Sequence, residues 1–144
     1  MNWLLDDRHL SEVLRTGRKP KPIRARDQLF TTGYWYVRLC QAVLGVPDRP
    51  GALSAPFGRL GAAARERAVT ALVELPDDIG LVSLRTLAPL IGQLRRTAEL
   101  NVLGMEALAA SVHLESHVLL SARSPRLEAA LAASGCRWTV TDPT

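Results

Sequence analysis

Met105-Glu106-Ala107-Leu108-Ala109-Ala110-Ser111-Val112, followed after a short polar break by Val118-Leu119-Leu120-Ser121-Ala122, is the stretch that decides the fold. The first segment reads as an Ala-rich helix carrying one early acid. The second is a short apolar run of the length of a buried strand. A similar run stands at the start of the chain, where residues 2–10, Asn-Trp-Leu-Leu-Asp-Asp-Arg-His-Leu, are apolar until Asp6 and Asp7. Such runs suit strands of a parallel sheet, buried on both faces. The C-terminal edge of such a sheet is where α/β proteins bind ligands, so Asp6 and Glu106 are expected to share one cleft. Asp7, one residue on, is expected to point to the opposite side of the strand end.

Between these ends the chain alternates. A helix over 10–15 leads to a strand at Leu29-Phe30-Thr31-Thr32 and a second helix that includes Arg38-Leu39. Residues 46–61, with Pro47, Pro50, Gly51, Pro56, Gly58 and Gly61, read as an irregular loop suited to a lid or a partner contact. A helix over 62–75 and a turn at Asp77-Asp78 precede a third buried strand over 79–84. The next helix, over 87–99, would hold Pro89 in its first turn. A helix over 125–134 stops at Gly135, before a last strand at Arg137-Trp138-Thr139-Val140. This alternation predicts an α/β fold, a three-layer α/β/α domain over 1–144 around a central, mostly parallel sheet of four to five strands. At 144 residues and 47% hydrophobic, the chain is long enough for one good core.

Order and spacing of these segments resemble the PIN domain, the fold of VapC-type toxins and related ribonucleases, over nearly the whole chain. Family members open with a hydrophobic strand ending in Asp, here Leu4-Leu5-Asp6. Their second strand ends in small hydroxyl residues, here Thr31-Thr32, and leads into a helix bearing Glu before Leu; Arg38-Leu39 stands there. The family's Asp-Ala-Leu-hydrophobic-Ala-Ala helix corresponds to Glu106-Ala107-Leu108-Ala109-Ala110, and its Leu-Leu-Thr-x-Asp strand end to Leu119-Leu120-Ser121-Ala122-Arg123. Two acid positions therefore carry arginine.

The resemblance implies a carboxylate cluster that binds Mg²⁺ or Mn²⁺ to activate water at a scissile phosphate. Here Asp6 and Glu106 are the remnant acids and Arg38 and Arg123 the acid-replacing residues. A guanidinium beside a carboxylate competes with a divalent cation by about 4 kcal/mol per close contact. Internal salt bridges from Arg38 or Arg123 to Asp6 or Glu106 are therefore expected in place of the metal, with no cofactor. The primary reading is a catalytically impaired pseudonuclease serving as a protein- or RNA-binding module. Its alternative is an active Mg- or Mn-dependent ribonuclease of a toxin–antitoxin pair, with Asp6 and Glu106 as metal ligands. The resemblance also implies a homodimer and, for toxins, an antitoxin partner.

Charge adds a second candidate region. Six of the 18 basic residues, Arg15, Arg18, Lys19, Lys21, Arg24 and Arg26, fall in one acid-free stretch, leaving 12 against 14 acidic residues elsewhere. With Gly17, Pro20 and Pro22 this reads as an extended, solvated loop. As a nucleic-acid contact, Arg18, Lys19, Lys21, Arg24 and Arg26 would supply salt-sensitive affinity for phosphates.

Other features are weaker. Tyr34-Trp35-Tyr36 either stacks on unpaired bases or splits by helical phase between core and surface. The helix of Arg38 is otherwise apolar enough to be largely buried. His113 and His117 have the four-residue spacing of a helical zinc pair, but the helix is expected to end between them. Cys40 and Cys136 are read as reduced thiols. The absence of an apolar h-region near Asp6 and Asp7, and of any membrane-length apolar run, predicts a soluble cytoplasmic protein.

Overall fold

Five strands, β1 (Asn2–Leu5), β2 (Gln28–Thr31), β3 (Ile79–Leu81), β4 (His117–Leu120) and β5 (Arg137–Val140), form one sheet in the order β3-β2-β1-β4-β5. Every pairing is parallel. The computed structural model describes residues 1–45 and 50–143; the first part of the expected 46–61 loop lies outside these. Seven helices among the described residues flank the sheet: α1 (Asp7–Thr16), α2 (Gly33–Leu44), α3 (Ala55–Gly58), α4 (Ala62–Val73), α5 (Leu84–Leu94), α6 (Val102–Leu114) and α7 (Pro125–Ala133).

Two cores lie on the two faces of the sheet, as a period of two along each strand requires. Trp3, Leu5, Leu29, Ile79 and Leu119 face Leu10, Val13 and Leu14 of α1, Leu39 of α2, Phe57 of α3 and Ala68 and Leu72 of α4. Leu4, Val118 and Leu120 face Leu87 of α5, Ala107 to Ala110 of α6 and Leu127 and Leu131 of α7. Strands β1 and β4 are thus covered on both sides, which is why their sequences read as unbroken apolar runs. The three-layer α/β expectation holds, with five strands, all parallel.

Local chemistry moves several boundaries. Asp6 is the N-cap of α1, its Oδ1 accepting from the His9 N–H at 3.0 Å, so the helix starts at Asp7, earlier than the expected 10–15. Gly17, at φ 68°, ends it in the left-handed conformation with its N–H donating to Val13 O. Ser83 caps α5 by accepting from the Arg85 N–H at 3.1 Å, which stops β3 at Leu81 and places Pro89 inside the helix and not in its first turn. Gly80 lies opposite Phe30 in the β2–β3 register, and a Cβ there would collide with the Phe30 ring. Helix α2 is less buried than its composition implies: Trp35 and Leu39 are buried, whereas Val37 and Leu44 are each 48% exposed.

Parallel strands give the sheet two chemically distinct edges. Asp6, Thr32 and Ser121 follow strand ends at the carboxyl edge. Gln28, His117 and Arg137 begin strands at the amino edge, where the loop between α1 and β2 also arrives.

Candidate functional site

At the carboxyl edge Asp6 and Glu106 are buried, and each of their oxygens accepts at least one hydrogen bond. Asp6 is 6% exposed. Its Oδ1 caps α1, and its Oδ2 accepts from both the backbone N–H and the hydroxyl of Ser121, each at 2.6 Å. The carboxylate therefore ties the end of β1 to the end of β4. Glu106, on the second turn of α6, is 0% exposed. Its Oε2 accepts from the Gly33 N–H at 2.9 Å and its Oε1 from the Tyr34 N–H at 2.8 Å. Those are two of the amides that α2 leaves unpaired at its start, and Thr32 takes a third, its Oγ1 accepting from the Trp35 N–H at 3.1 Å. A carboxylate at a helix N-terminus also meets the positive end of the helix dipole. Glu106 thus joins α6 to α2 across the site.

The arginines form ion pairs, but not the expected ones. Arg38 Nε lies 3.3 Å from Asp7 Oδ2, with the arginine side chain 55% exposed and the aspartate nearly buried. Arg123 Nε lies 3.0 Å from Glu128 Oε1. Neither arginine pairs with Asp6 or Glu106, because backbone amides already occupy those carboxylates. The expectation for Asp7 is also corrected: alternation ends with β1 at Leu5, so Asp7 is the first residue of α1 and stays within electrostatic range of Asp6. Burial, then the neighbouring Asp6 carboxylate, pushes the Asp7 carboxyl above its usual range; Arg38 and nearby backbone N–H groups pull the other way.

Glu128, the next acid after Arg123, is the partner that holds this arginine. Besides Arg123 it accepts from the Ser124 N–H at 2.6 Å and from Trp138 Nε1 at 3.1 Å, and these donors hold its carboxyl below the usual range. The Ser124-Pro125 helix start is the available signal, since an acid in the first turn commonly reaches back to the cap.

A divalent cation of the Mg²⁺ or Mn²⁺ type requires hard oxygen donors with free lone pairs. Asp6 and Glu106 keep lone pairs beside their hydrogen bonds, but too few such donors are grouped among the described residues to fit one. Asp6 and Glu106 direct their oxygens at N–H and O–H groups, and Asp7 faces Arg38. Among the described residues, no three His, Cys, Asp or Glu side chains are grouped to hold a metal ion. His113 is on the last turn of α6 and His117 opens β4, so the zinc spacing falls across a helix end.

The basic stretch is elsewhere. It connects the end of α1 to the start of β2 and so belongs to the amino edge, away from Asp6 and Glu106. It is not an extended loop. Lys19 Nζ donates to Ala25 O at 2.7 Å and to Asp27 O at 2.6 Å, and Ile23 is buried. Lys19 therefore staples the loop, while Arg18, Lys21, Arg24 and Arg26 are exposed.

The sheet order and layers define a PIN-like α/β domain. No protein-family model matches the chain. No curated protein matches it. Among solved structures, VapBC-1 from nontypeable Haemophilus influenzae, at 2.2 Å resolution, is similar with a TM-score of 0.57 and 12% sequence identity, over 97% of this chain and 98% of that one. At that identity the likeness is one of fold, and it agrees with the PIN-like architecture.

Proposed function

We propose that this chain is a single PIN-like domain with a degenerate acidic site, a catalytically impaired pseudonuclease that serves as a protein- or RNA-binding module. One observation carries the reading: every oxygen of Asp6 and Glu106 accepts a hydrogen bond that holds the fold together, while the two positions where the family places further acids are arginines. These bonds aim the two carboxylates at the protein's own N–H and O–H groups, and re-aiming one at a cation would leave each released buried donor unsatisfied at roughly 1–3 kcal/mol. No helix among the described residues is long and apolar enough to cross a membrane.

Protein binding is supported by α2, whose Tyr34, Val37, Gln41 and Leu44 form an exposed stripe at helical spacing. By analogy with the VapBC-1 structure, a small antitoxin-like partner is one occupant of such a surface, and a second copy of the chain is another. The alternative, an active Mg- or Mn-dependent ribonuclease, draws support from the buried, electrostatically coupled Asp6 and Asp7 at the same edge.

Calorimetric titration of Mg²⁺ and Mn²⁺, with an Asp6→Asn control and a parallel RNA-cleavage assay, separates the two. We expect neither binding at millimolar metal nor cleavage. Metal binding that disappears in Asp6→Asn, with metal-dependent cleavage, would overturn the pseudonuclease reading.

A further inference from the structure

The amino edge carries an open pocket of about 410 Å³ that the carboxyl-edge reading does not use. Its aromatic wall is His117 of β4, half-buried, backed by the buried Trp3 of β1, its neighbour in register, with the two rings stacked at 4.3 Å between centroids and planes 28° from parallel. Three arginines from two separate segments surround it: Arg24 and Arg26 from the loop before β2, and Arg137, which pairs with His117 at the start of β5.

The pocket is built by the fold. Asp27 is 6% exposed and anchors the loop, accepting from Trp3 Nε1 at 3.1 Å and from the Arg24 N–H at 2.9 Å. One carboxylate thereby fixes both the aromatic wall and the backbone that carries the first arginine. His117 Nε2 lies 2.7 Å from Thr139 Oγ1, which fixes the imidazole. Burial, and then Arg137, holds His117 below its ordinary titration range, so it presents a neutral ring at neutral pH. The guanidinium groups of Arg24, Arg26 and Arg137 have no carboxylate within ion-pair distance among the described residues. Asp27 is the acid of the pocket, and against three arginines the balance stays positive.

An aromatic wall with a rim of unpaired arginines suits a ligand that is planar at one end and anionic at the other. Guanidinium groups match phosphate oxygens bidentately, and aromatic rings hold bases with little regard to sequence. The volume lies within the range of small-molecule sites. We infer that the amino-edge pocket binds a nucleoside phosphate, its phosphate held by Arg24, Arg26 and Arg137 and its base against the His117 ring that Trp3 backs. The same chemistry is offered by a free nucleotide and by the phosphorylated end of a single-stranded RNA. This site is independent of the carboxyl-edge reading, since it uses neither Asp6 nor Glu106.

The test is titration of the full chain with adenosine 5′-monophosphate, adenosine, inorganic phosphate, a short oligoglutamate, and short oligoadenylates with and without a 5′-phosphate. Binding is followed by calorimetry and by the His117 imidazole resonances. Adenosine 5′-monophosphate should bind and shift His117, with adenosine and phosphate each at least about tenfold weaker. The triple variant Arg24→Ala, Arg26→Ala, Arg137→Ala alters only exposed side chains and should lose about tenfold or more in affinity; His117→Ala should lose less. Tighter binding of the 5′-phosphorylated oligoadenylate assigns the site to RNA ends, and equal or weaker binding assigns it to free nucleotide; both support the inference. Absence of binding at millimolar adenosine 5′-monophosphate, binding unchanged in the triple variant, or equal competition by oligoglutamate would overturn it.

Discussion

The two edges of one sheet treat charge in opposite ways. At the carboxyl edge, Asp6 and Glu106 spend their oxygens on backbone amides and a serine hydroxyl, Arg38 faces Asp7, and Arg123 faces Glu128. At the amino edge, one carboxylate and one lysine shape the loop and leave three arginines around an open pocket. Charges closed on the protein itself hold elements together; charges without an internal partner remain available to a ligand. The presence of acids at a strand end therefore says less about chemistry than the number of lone pairs left on them.

The largest effect that tests this comparison is on stability. Glu106→Ala leaves the Gly33 and Tyr34 amides, both in part-buried bonds, without their acceptor. At roughly 1–3 kcal/mol for each unsatisfied donor the range is about 2–6 kcal/mol, and the partial burial of both amides puts the loss toward its lower end. Thermal unfolding should then show a fall in Tm on the order of 10 °C. Asp6→Ala, which removes a helix cap and two bonds from Ser121, should cost about 2–4 kcal/mol. If both variants unfold within about 1 kcal/mol of the parent, the acids are not structural, and the contrast between the edges fails.

Next in size is an attempt to reopen the carboxyl edge. The double variant Arg38→Glu, Arg123→Asp puts acids at the two positions where the resemblance to PIN domains expects them and removes two guanidinium groups. Divalent binding at millimolar Mn²⁺ is expected in calorimetry, against none in the parent. Failure to gain binding would mean that the amide bonds on Asp6 and Glu106 alone exclude the metal, which sharpens the comparison.

Much of the fold was legible because it rests on local signals. Leu4-Leu5, Leu29-Phe30 and Val118-Leu119-Leu120 are apolar runs at parallel-strand length, and Gly135 marks the end of the last helix. The partners of the charges were not legible. An acid at the end of a strand is equally a cap for the next helix and a ligand for a metal, and nothing local to Asp6 separates the two. Asp7 departs from the alternation expected for it because β1 ends two residues earlier, at Leu5. The basic stretch read as solvated because its fastenings, Lys19 to the carbonyls of Ala25 and Asp27 and Trp3 to Asp27, depend on how the loop folds back. The pocket joins Arg24 and Arg26 to Arg137, more than 100 residues along the chain, a convergence that only the strand order creates.

The smallest effects concern pH, and their signs differ between two aspartates. The Arg24 amide and the Trp3 indole N–H hold the Asp27 carboxyl below its ordinary range. Its contribution to stability is therefore complete above the ordinary carboxylate pKa of about 4 and is lost as pH falls through the folded value. Asp27→Asn should be less stable than the parent at neutral pH, with the gap closing in acid as the parent loses that contribution. Asp7 has the opposite sign. Its carboxyl is raised by burial and by Asp6, so keeping it ionised in the folded protein opposes folding increasingly as pH rises through the raised value. The Arg38 contact offsets only part of this, because the arginine is more than half exposed and screened by solvent. Asp7→Asn should accordingly match or exceed the parent at neutral pH, by no more than about 1 kcal/mol, and converge with it in acid, where both side chains are neutral. Urea unfolding of the two variants across this range reads both signs. A marked loss in Asp7→Asn at neutral pH would show that the Asp7–Arg38 pair is a structural fastening of the carboxyl edge.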